Sequence, residues 1–174
     1  SIILTDDSLF KKRFWKVLSD NRATTLGGVP YIFEILKKLR FEKMDLPNIK
    51  YITQAGGKLG RELCLEFAKI CAKKNIKLFV MYGQAEATAR ISYLPWEQIH
   101  KKPESIGIAI PCGKFWLEDE NGKVIEKAFI EGELVYQGPN VSLGYAQNRF
   151  ELQKGDENNG ILYTGDLAKR DQDG

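Results

Sequence analysis

The chain has 174 residues, 43% of them hydrophobic and 28% charged, with a net charge of +3. This balance excludes disordered and fibrous classes and predicts a soluble globular fold the size of one ordinary domain. Its longest apolar stretches, such as Leu78–Tyr82, stop far short of the ~20 residues that cross a bilayer. Ser1–Leu4 is too short, and too soon followed by Asp6 and Asp7, to serve as a secretory signal. No membrane span and a cytoplasmic setting are therefore expected. The basic runs Lys11-Lys12-Arg13, Lys37-Lys38, Lys73-Lys74 and Lys101-Lys102 are scattered among acidic and apolar neighbours. They read as solvated faces, and no nucleic-acid partner is expected. Cys64 and Cys71 are seven apart on a helical pattern and Cys112 stands in a Pro-Cys-Gly turn, so core thiols are expected and metal ligation is not. His100, the single histidine, lies outside every motif and reads as a surface residue.

In chain order, Ile2–Leu4 reads as a strand, followed by a helix from about Ser8 to Leu18 capped by Asp7, with Phe10, Phe14, Val17 and Leu18 at helical spacing. A short apolar run covers Ala23–Leu26. Pro30 then opens a helix with Ile32, Ile35, Leu36 and Leu39 on one side. Tyr51–Thr53 reads as a buried strand, Gly56-Gly57 as a turn, Arg61–Lys74 as a helix turning Leu63, Phe67, Ile70 and Cys71 inward, and Lys77–Met81 as the next strand. Such alternation predicts an α/β fold with a mainly parallel sheet flanked by helices. Ligands on these sheets bind at the carboxyl ends of strands, so the loops after Thr53 and Met81 are the places to look for chemistry.

From about Ser105 the texture changes to short strands: Lys114–Asp119, an Asn121-Gly122 turn, Val124-Ile125, and Gly132–Tyr136. Leu162-Tyr163 and Leu167-Ala168 read as a last strand pair around a Thr-Gly-Asp corner, after a polar, exposed excursion over Glu151–Asn159. A small β-barrel-like antiparallel part is expected here, which divides the chain into residues 1–104 and 105–174.

Three segments carry chemistry. Gln54-Ala55-Gly56-Gly57-Lys58 runs from a strand end into paired glycines before a helix, where a backbone can approach a flat ligand. Tyr82-Gly83-Gln84-Ala85-Glu86 places an aromatic ring, which can pack on a base, close to a carboxylate, which can hold Mg²⁺ beside phosphates. Tyr163-Thr164-Gly165-Asp166-Leu167 fixes an acid at a sharp turn, where it could accept hydrogen bonds from ribose hydroxyls. Each alone reads first as ordinary structure: a tight turn, a core tyrosine with a turn glycine and a solvated glutamate, and a turn-capping aspartate.

In this order and spacing the segments resemble the adenylate-forming superfamily of acyl-CoA synthetases, aryl-acid ligases, luciferases and peptide-synthetase adenylation domains. Gly132-Glu133-Leu134, Gly138, Gly144-Tyr145 and Ser105-Ile106-Gly107 are similar to further segments of that superfamily, so the resemblance covers nearly the whole chain. It implies a reaction in two halves, in which a small-molecule carboxylic acid attacks ATP to give an acyl-adenylate and a thiol, of CoA or an acyl-carrier protein, then takes the acyl group. The resemblance implies ATP/AMP and Mg²⁺ as ligands, with adenine against Tyr82 and the Gly56-Gly57-Lys58 backbone, and Gly83, Gln84 and Ala85 around the nucleotide. It implies Glu86 at the metal and phosphate as the catalytic carboxylate, Asp166 on the ribose, and the acid near Val29, Phe33, Gly56 and Gly83. Gly144 and Tyr145 are assigned to structure.

Ala85 departs from the pattern, which usually has Thr or Ser there; fatty-acyl-adenylate ligases resemble this chain in having Ala, which leans the expectation towards a fatty or other hydrophobic acid. An amino-acid-adenylating domain would need a carboxylate near Val29 or Phe33, and a scaffold could keep the same motifs without turnover. The superfamily's phosphate loop and its C-terminal lysine fall outside these 174 residues, so the chain is expected to be an internal fragment, inactive by itself.

Overall fold

In the computed structural model, which describes residues 1–174, strand and helix alternate through the first hundred residues as the periodicity implies. Strands β1 (Thr25–Gly28), β2 (Tyr51–Gln54) and β3 (Lys77–Tyr82) run parallel, with Leu26, Ile52 and Leu78 on one rung and Gly28, Gln54 and Val80 two residues on. Parallel neighbours need a crossover, and helices α2 (Pro30–Lys38) and α3 (Arg61–Lys73) supply the two. Pro30 occupies the first turn of α2, where its missing N–H is not needed, and Lys37 and Lys38 fall in the last turn, where the helix dipole favours cations.

Because side chains alternate along a strand, Ile52 and Leu78 turn to the helices and join Phe33, Leu36, Cys64, Phe67 and Cys71 in one core. Tyr51 and Phe79 point the other way and bring their rings to 6.2 Å. Phe67 is fully buried, edge-on to Phe33 at 5.0 Å and stacked on Phe41 at 6.1 Å, so one aromatic layer ties α3 to α2. Burial pushes the Cys64 thiol up to about 11 and that of Cys71 to about 12, which keeps both inert core groups.

The chain divides into two compact units, residues 1–81 with 94–107, and residues 82–93 with 108–174. In the second, β4 (Ser92–Leu94) pairs antiparallel with β5 (Ile108–Ala109) through Ser92 and Tyr93. Strands β6 (Lys114–Glu118), β7 (Glu131–Gln137) and β8 (Ile161–Lys169) form an antiparallel sheet in that order. Its core holds Ala87, Ile91, Tyr136, Val141 and Leu162. The α/β fold class with a following antiparallel part is therefore the one present. No helix is long and apolar enough to cross a membrane.

Several local expectations need correction. Helix α1 spans Lys12–Asp20, starting later than Ser8, because Ser8–Lys11 closes a separate turn with the Lys11 amide 3.0 Å from the Ser8 carbonyl. Asp7 does not cap it; its carboxylate pairs with Lys11 and Arg13, each at 3.3 Å. Ile2–Leu4 finds no partner strand and leaves Ile2 and Leu4 almost fully exposed. The Asn121-Gly122 hairpin closes, but the Val124-Ile125 strand shrinks to a single bridge between Glu118 and Val124. The Leu162-Tyr163 and Leu167-Ala168 pair is one continuous strand, β8, with an irregularity in its pairing opposite Glu133–Val135. Cys112 is exposed and not a core thiol.

Phe67→Ala should destabilise the fold by about 3–5 kcal/mol, the usual cost of emptying a phenylalanine site in a packed core. Urea unfolding of the two chains measures it; a loss below about 1 kcal/mol would show that the aromatic layer collapses without strain.

Candidate functional site in the second unit

β3 ends at Tyr82, and the chain turns sharply at Gly83. A Cβ there would lie 2.6 Å from the Ala89 carbonyl oxygen, so only glycine lets the returning loop come this close. The turn that follows carries Gln84, Ala85 and Glu86, with the Ala87 and Ala89 amides both bonded to the Gln84 carbonyl. At the far end of the same unit, Gly165 takes φ +71° inside β8 and produces the pairing irregularity. Thr164 Oγ1 donates to the Leu134 carbonyl at 2.7 Å and accepts from the Asp166 amide at 3.1 Å, and the Gly165 amide donates to Glu133 at 3.1 Å. The bulge thereby aims Asp166 at Tyr82.

Three groups of the two motifs meet there. The Tyr82 hydroxyl donates to Asp166 Oδ2 at 2.5 Å. Gln84 Nε2 donates to the same oxygen at 3.1 Å and to the Thr164 carbonyl at 2.8 Å. Burial and then the bond to Asp166 push the Tyr82 phenol from its ordinary 10.0 to about 12. The aromatic ring is thus fixed at both ends, while Asp166 Oδ1 keeps its capacity to accept from a further donor.

Glu86 stands on the same turn. Its Oε1 accepts a short hydrogen bond from the Tyr145 hydroxyl, which lowers the Glu86 pKa from the ordinary 4.5, with its own backbone amide adding to the effect. The same bond raises the Tyr145 phenol. The Gly-Tyr segment by itself assigns Tyr145 to structure, yet its otherwise exposed ring reaches the carboxylate across 59 residues of sequence. Ala85 is exposed and brings no hydroxyl, and the Thr88 hydroxyl is engaged with the Asn140 carbonyl at 3.3 Å.

The remaining sequence-derived residues belong to the first unit. Gly56 lies against Val29, whose Cγ1 would be 3.1 Å from a Cβ on the glycine, and Val29 is half-exposed. Phe33 is fully buried in the core against Phe67 and presents no surface. Gln54 is missing from the sequence-derived roles but shapes this loop: strand alternation buries it, and its Nε2 donates to the Gly57 carbonyl at 2.7 Å. Its Oε1 accepts no bond. Lys58 pairs with Glu104 at 3.6 Å, an exposed contact worth at most about 1 kcal/mol. A cavity of about 420 Å³ in the second unit is lined by Cys112, Lys114, Gln137, Gly138 and Pro139 among others, and by no residue of the Gln54–Lys58, Tyr82–Glu86 or Tyr163–Leu167 segments.

A family model described as AMP-binding enzyme matches residues 1–146. The chain is 29% identical over 161 residues to luciferin 4-monooxygenase of Luciola mingrelica, covering 92% of this chain and 29% of that protein. It is 30% identical over 159 residues to 2-succinylbenzoate–CoA ligase of Bacillus cereus, covering 91% and 32%. A solved structure of o-succinylbenzoate coenzyme A synthetase from Bacillus subtilis, in complex with ATP and magnesium ion, superposes with a TM-score of 0.75 at 25% identity, over 93% of this chain and 32% of that one. The chain thus spans about a third of the length of the curated relatives it matches.

Two titrations check the geometry. A phenol raised in the folded state favours folding fully below its ordinary 10.0, and that contribution is lost as pH rises through about 12. Tyr82→Phe should accordingly remove one phenolate absorbance step near 12; an unchanged titration would place that step on another tyrosine. Tyr145→Phe should move Glu86 back up towards 4.5, read by carboxyl carbon NMR. The Glu86 contribution is present above that value and lost as pH falls, so the variant should lose less stability in acid than the parent.

Proposed function

The chain belongs to the AMP-binding enzyme family, and on that premise we propose that it carries the nucleotide-holding part of an AMP-forming acid–thiol ligase. One observation supports this reading most directly: the Tyr82 hydroxyl and the Gln84 amide converge on Asp166, with Glu86 on the same turn. The ring offers a rigid flat surface for a purine, and the second oxygen of Asp166 can accept from ribose hydroxyls. Glu86 is the carboxylate beside the phosphates. No cluster of three or more acidic, histidine or cysteine groups accompanies it, which suits Mg²⁺, an ion usually held by one or two carboxylates together with substrate phosphates. When bound, the ion supplies charge neutralisation at those phosphates.

In the reaction proposed, a carboxylate oxygen of the acid bonds to the α-phosphorus of ATP as the bond to pyrophosphate breaks. The sulfur of a thiol such as CoA then gives up its proton to solvent and bonds to the acyl carbon as the carbon–oxygen bond to AMP breaks, AMP departing with the bonding electrons. Neither half requires a protein nucleophile; positioning and charge carry the catalysis. The acid is a fatty or other hydrophobic one, supported by the apolar, half-exposed Val29 beside Gly56 in the first unit and by Ala85 in the turn. We place the full reaction in the protein at its natural length, and the 174 residues by themselves are proposed to be inactive.

ATP–pyrophosphate exchange by the natural-length protein, with a panel of fatty, aryl and amino acids, tests this. Exchange should depend on a hydrophobic acid and fall at least about 100-fold in Glu86→Gln, the scale of losing a charged group at a developing phosphate charge. Asp166→Ala should weaken ATP about 10-fold or more, as loss of a hydrogen bond to a charged group does. Folded protein that exchanges with no acid would favour a nucleotide-binding scaffold, and exchange with amino acids alone would favour an amino-acid-adenylating domain.

A further inference from the structure

The turn that carries Glu86 is not stable by its own geometry. Thr88 and Ala89 both sit in the left-handed region, at φ 48° and 67°. Side-chain-bearing residues persist there only when their surroundings hold them. Besides the turn's own backbone bonds, what spans them is one side-chain amide. Asn140 Nδ2 donates to the Ala87 carbonyl at 2.7 Å and to the Arg90 carbonyl at 2.9 Å, spanning the two strained residues like a clamp. Its Oδ1 accepts from the Tyr136 hydroxyl at 2.8 Å, and Tyr136 is fully buried. The two carbonyls settle which end of the amide faces them, since a flipped Asn140 would set its oxygen against both, and the Tyr136 hydroxyl fixes the other end in place. The backbone beside it completes the grip: the Ser142 amide donates to the Glu86 carbonyl at 2.7 Å and Thr88 Oγ1 to the Asn140 carbonyl.

We propose that Asn140, oriented by Tyr136, is a positioning residue for Glu86, locking the 84–90 turn so that the carboxylate is held ready for a nucleotide's phosphates and their cation. This rests on the role proposed for Glu86. Within the turn the Asn140 side chain touches only the Ala87 and Arg90 carbonyls, so it acts on the reaction through the turn alone. Adenine and ribose, on the proposed reading, are held by Tyr82 and Asp166, whose contacts do not include Asn140.

The test uses the natural-length protein with the acid that supports exchange. Asn140→Ala should lower kcat for ATP–pyrophosphate exchange about 10- to 100-fold, as misplacement of a catalytic group by ~1 Å does, while AMP affinity stays within about threefold. Amide exchange at Thr88 and Ala89 should quicken at the same time. In a Glu86→Gln background, Asn140→Ala should cost almost nothing more, because a residue acting through Glu86 is silent once that carboxylate is gone. Should Asn140→Ala fail to fold, Tyr136→Phe keeps the clamp's atoms and removes only its orienting bond, and it should show the same pattern more weakly. Wild-type kcat in the folded variant overturns the proposal, as does a parallel fall of kcat, AMP affinity and thermal stability, or a further loss in the Glu86→Gln background. Full exchange by Glu86→Gln itself would instead remove the reading of Glu86, so the two failures are told apart.

Discussion

The second unit depends on the hydrogen bond between the Tyr82 hydroxyl and the Asp166 carboxylate, 2.5 Å long across 84 residues of sequence. One partner ends a strand and the other sits in a bulge. Apolar packing brings the two elements together but cannot choose a rotation for the ring or the acid; a directional bond does. Gln84 then has only one place to go, between Asp166 and the Thr164 carbonyl, and its placement starts the turn that carries Glu86. Burial strengthens the arrangement by keeping the phenol protonated well above its usual range.

How much of this was legible in the sequence follows from the range of the forces involved. Strands β2 and β3 and helices α2 and α3 are set by local periodicity, so their limits were readable to within one or two residues. The start of α1 was not, because Asp7 is as good a partner for Lys11 and Arg13 as it is a cap, and the choice is made by the Ser8–Lys11 turn. The unbroken course of β8 was hidden by Thr164-Gly165-Asp166, which reads as a corner until Leu134 and Glu133 on the neighbouring strand accept its hydrogen bonds. The motif residues Tyr82, Glu86 and Asp166 could be picked out by pattern. The contacts of Tyr145 with Glu86, and of Asn140 with Tyr136 and the Ala87 and Arg90 carbonyls, could not, since a Gly-Tyr pair and a Gly-Pro-Asn turn carry no local sign of what they reach. Phe33 shows the opposite difficulty: the resemblance puts it near the acid, and the helical periodicity of α2 turns it into the core.

The electrostatics around Glu86 are economical. Its partners are a phenolic hydroxyl and its own backbone amide, dipoles and not cations. Dipoles favour the charged form without cancelling its charge, whereas a lysine or arginine in the same position would have neutralised it. A carboxylate kept ionised in this way retains its field for an incoming positive charge. The buried thiols of Cys64 and Cys71 show the contrary case, where burial outweighs any favourable neighbour and pushes ionisation up to about 11 and about 12.

The way the chain divides has a consequence for how the protein is made. It passes from the first unit to the second after Met81, returns at Leu94, and leaves again after Gly107. Residues 82–93 therefore emerge from the ribosome long before the strands against which they pack. During synthesis Tyr82 has no Asp166 to bind, and the Glu86 turn has no Asn140. The first unit can close once Gly107 is out, but residues 82–93 wait for β7 and β8, so the turn that carries Glu86 takes its final shape only after strands that follow it in the sequence.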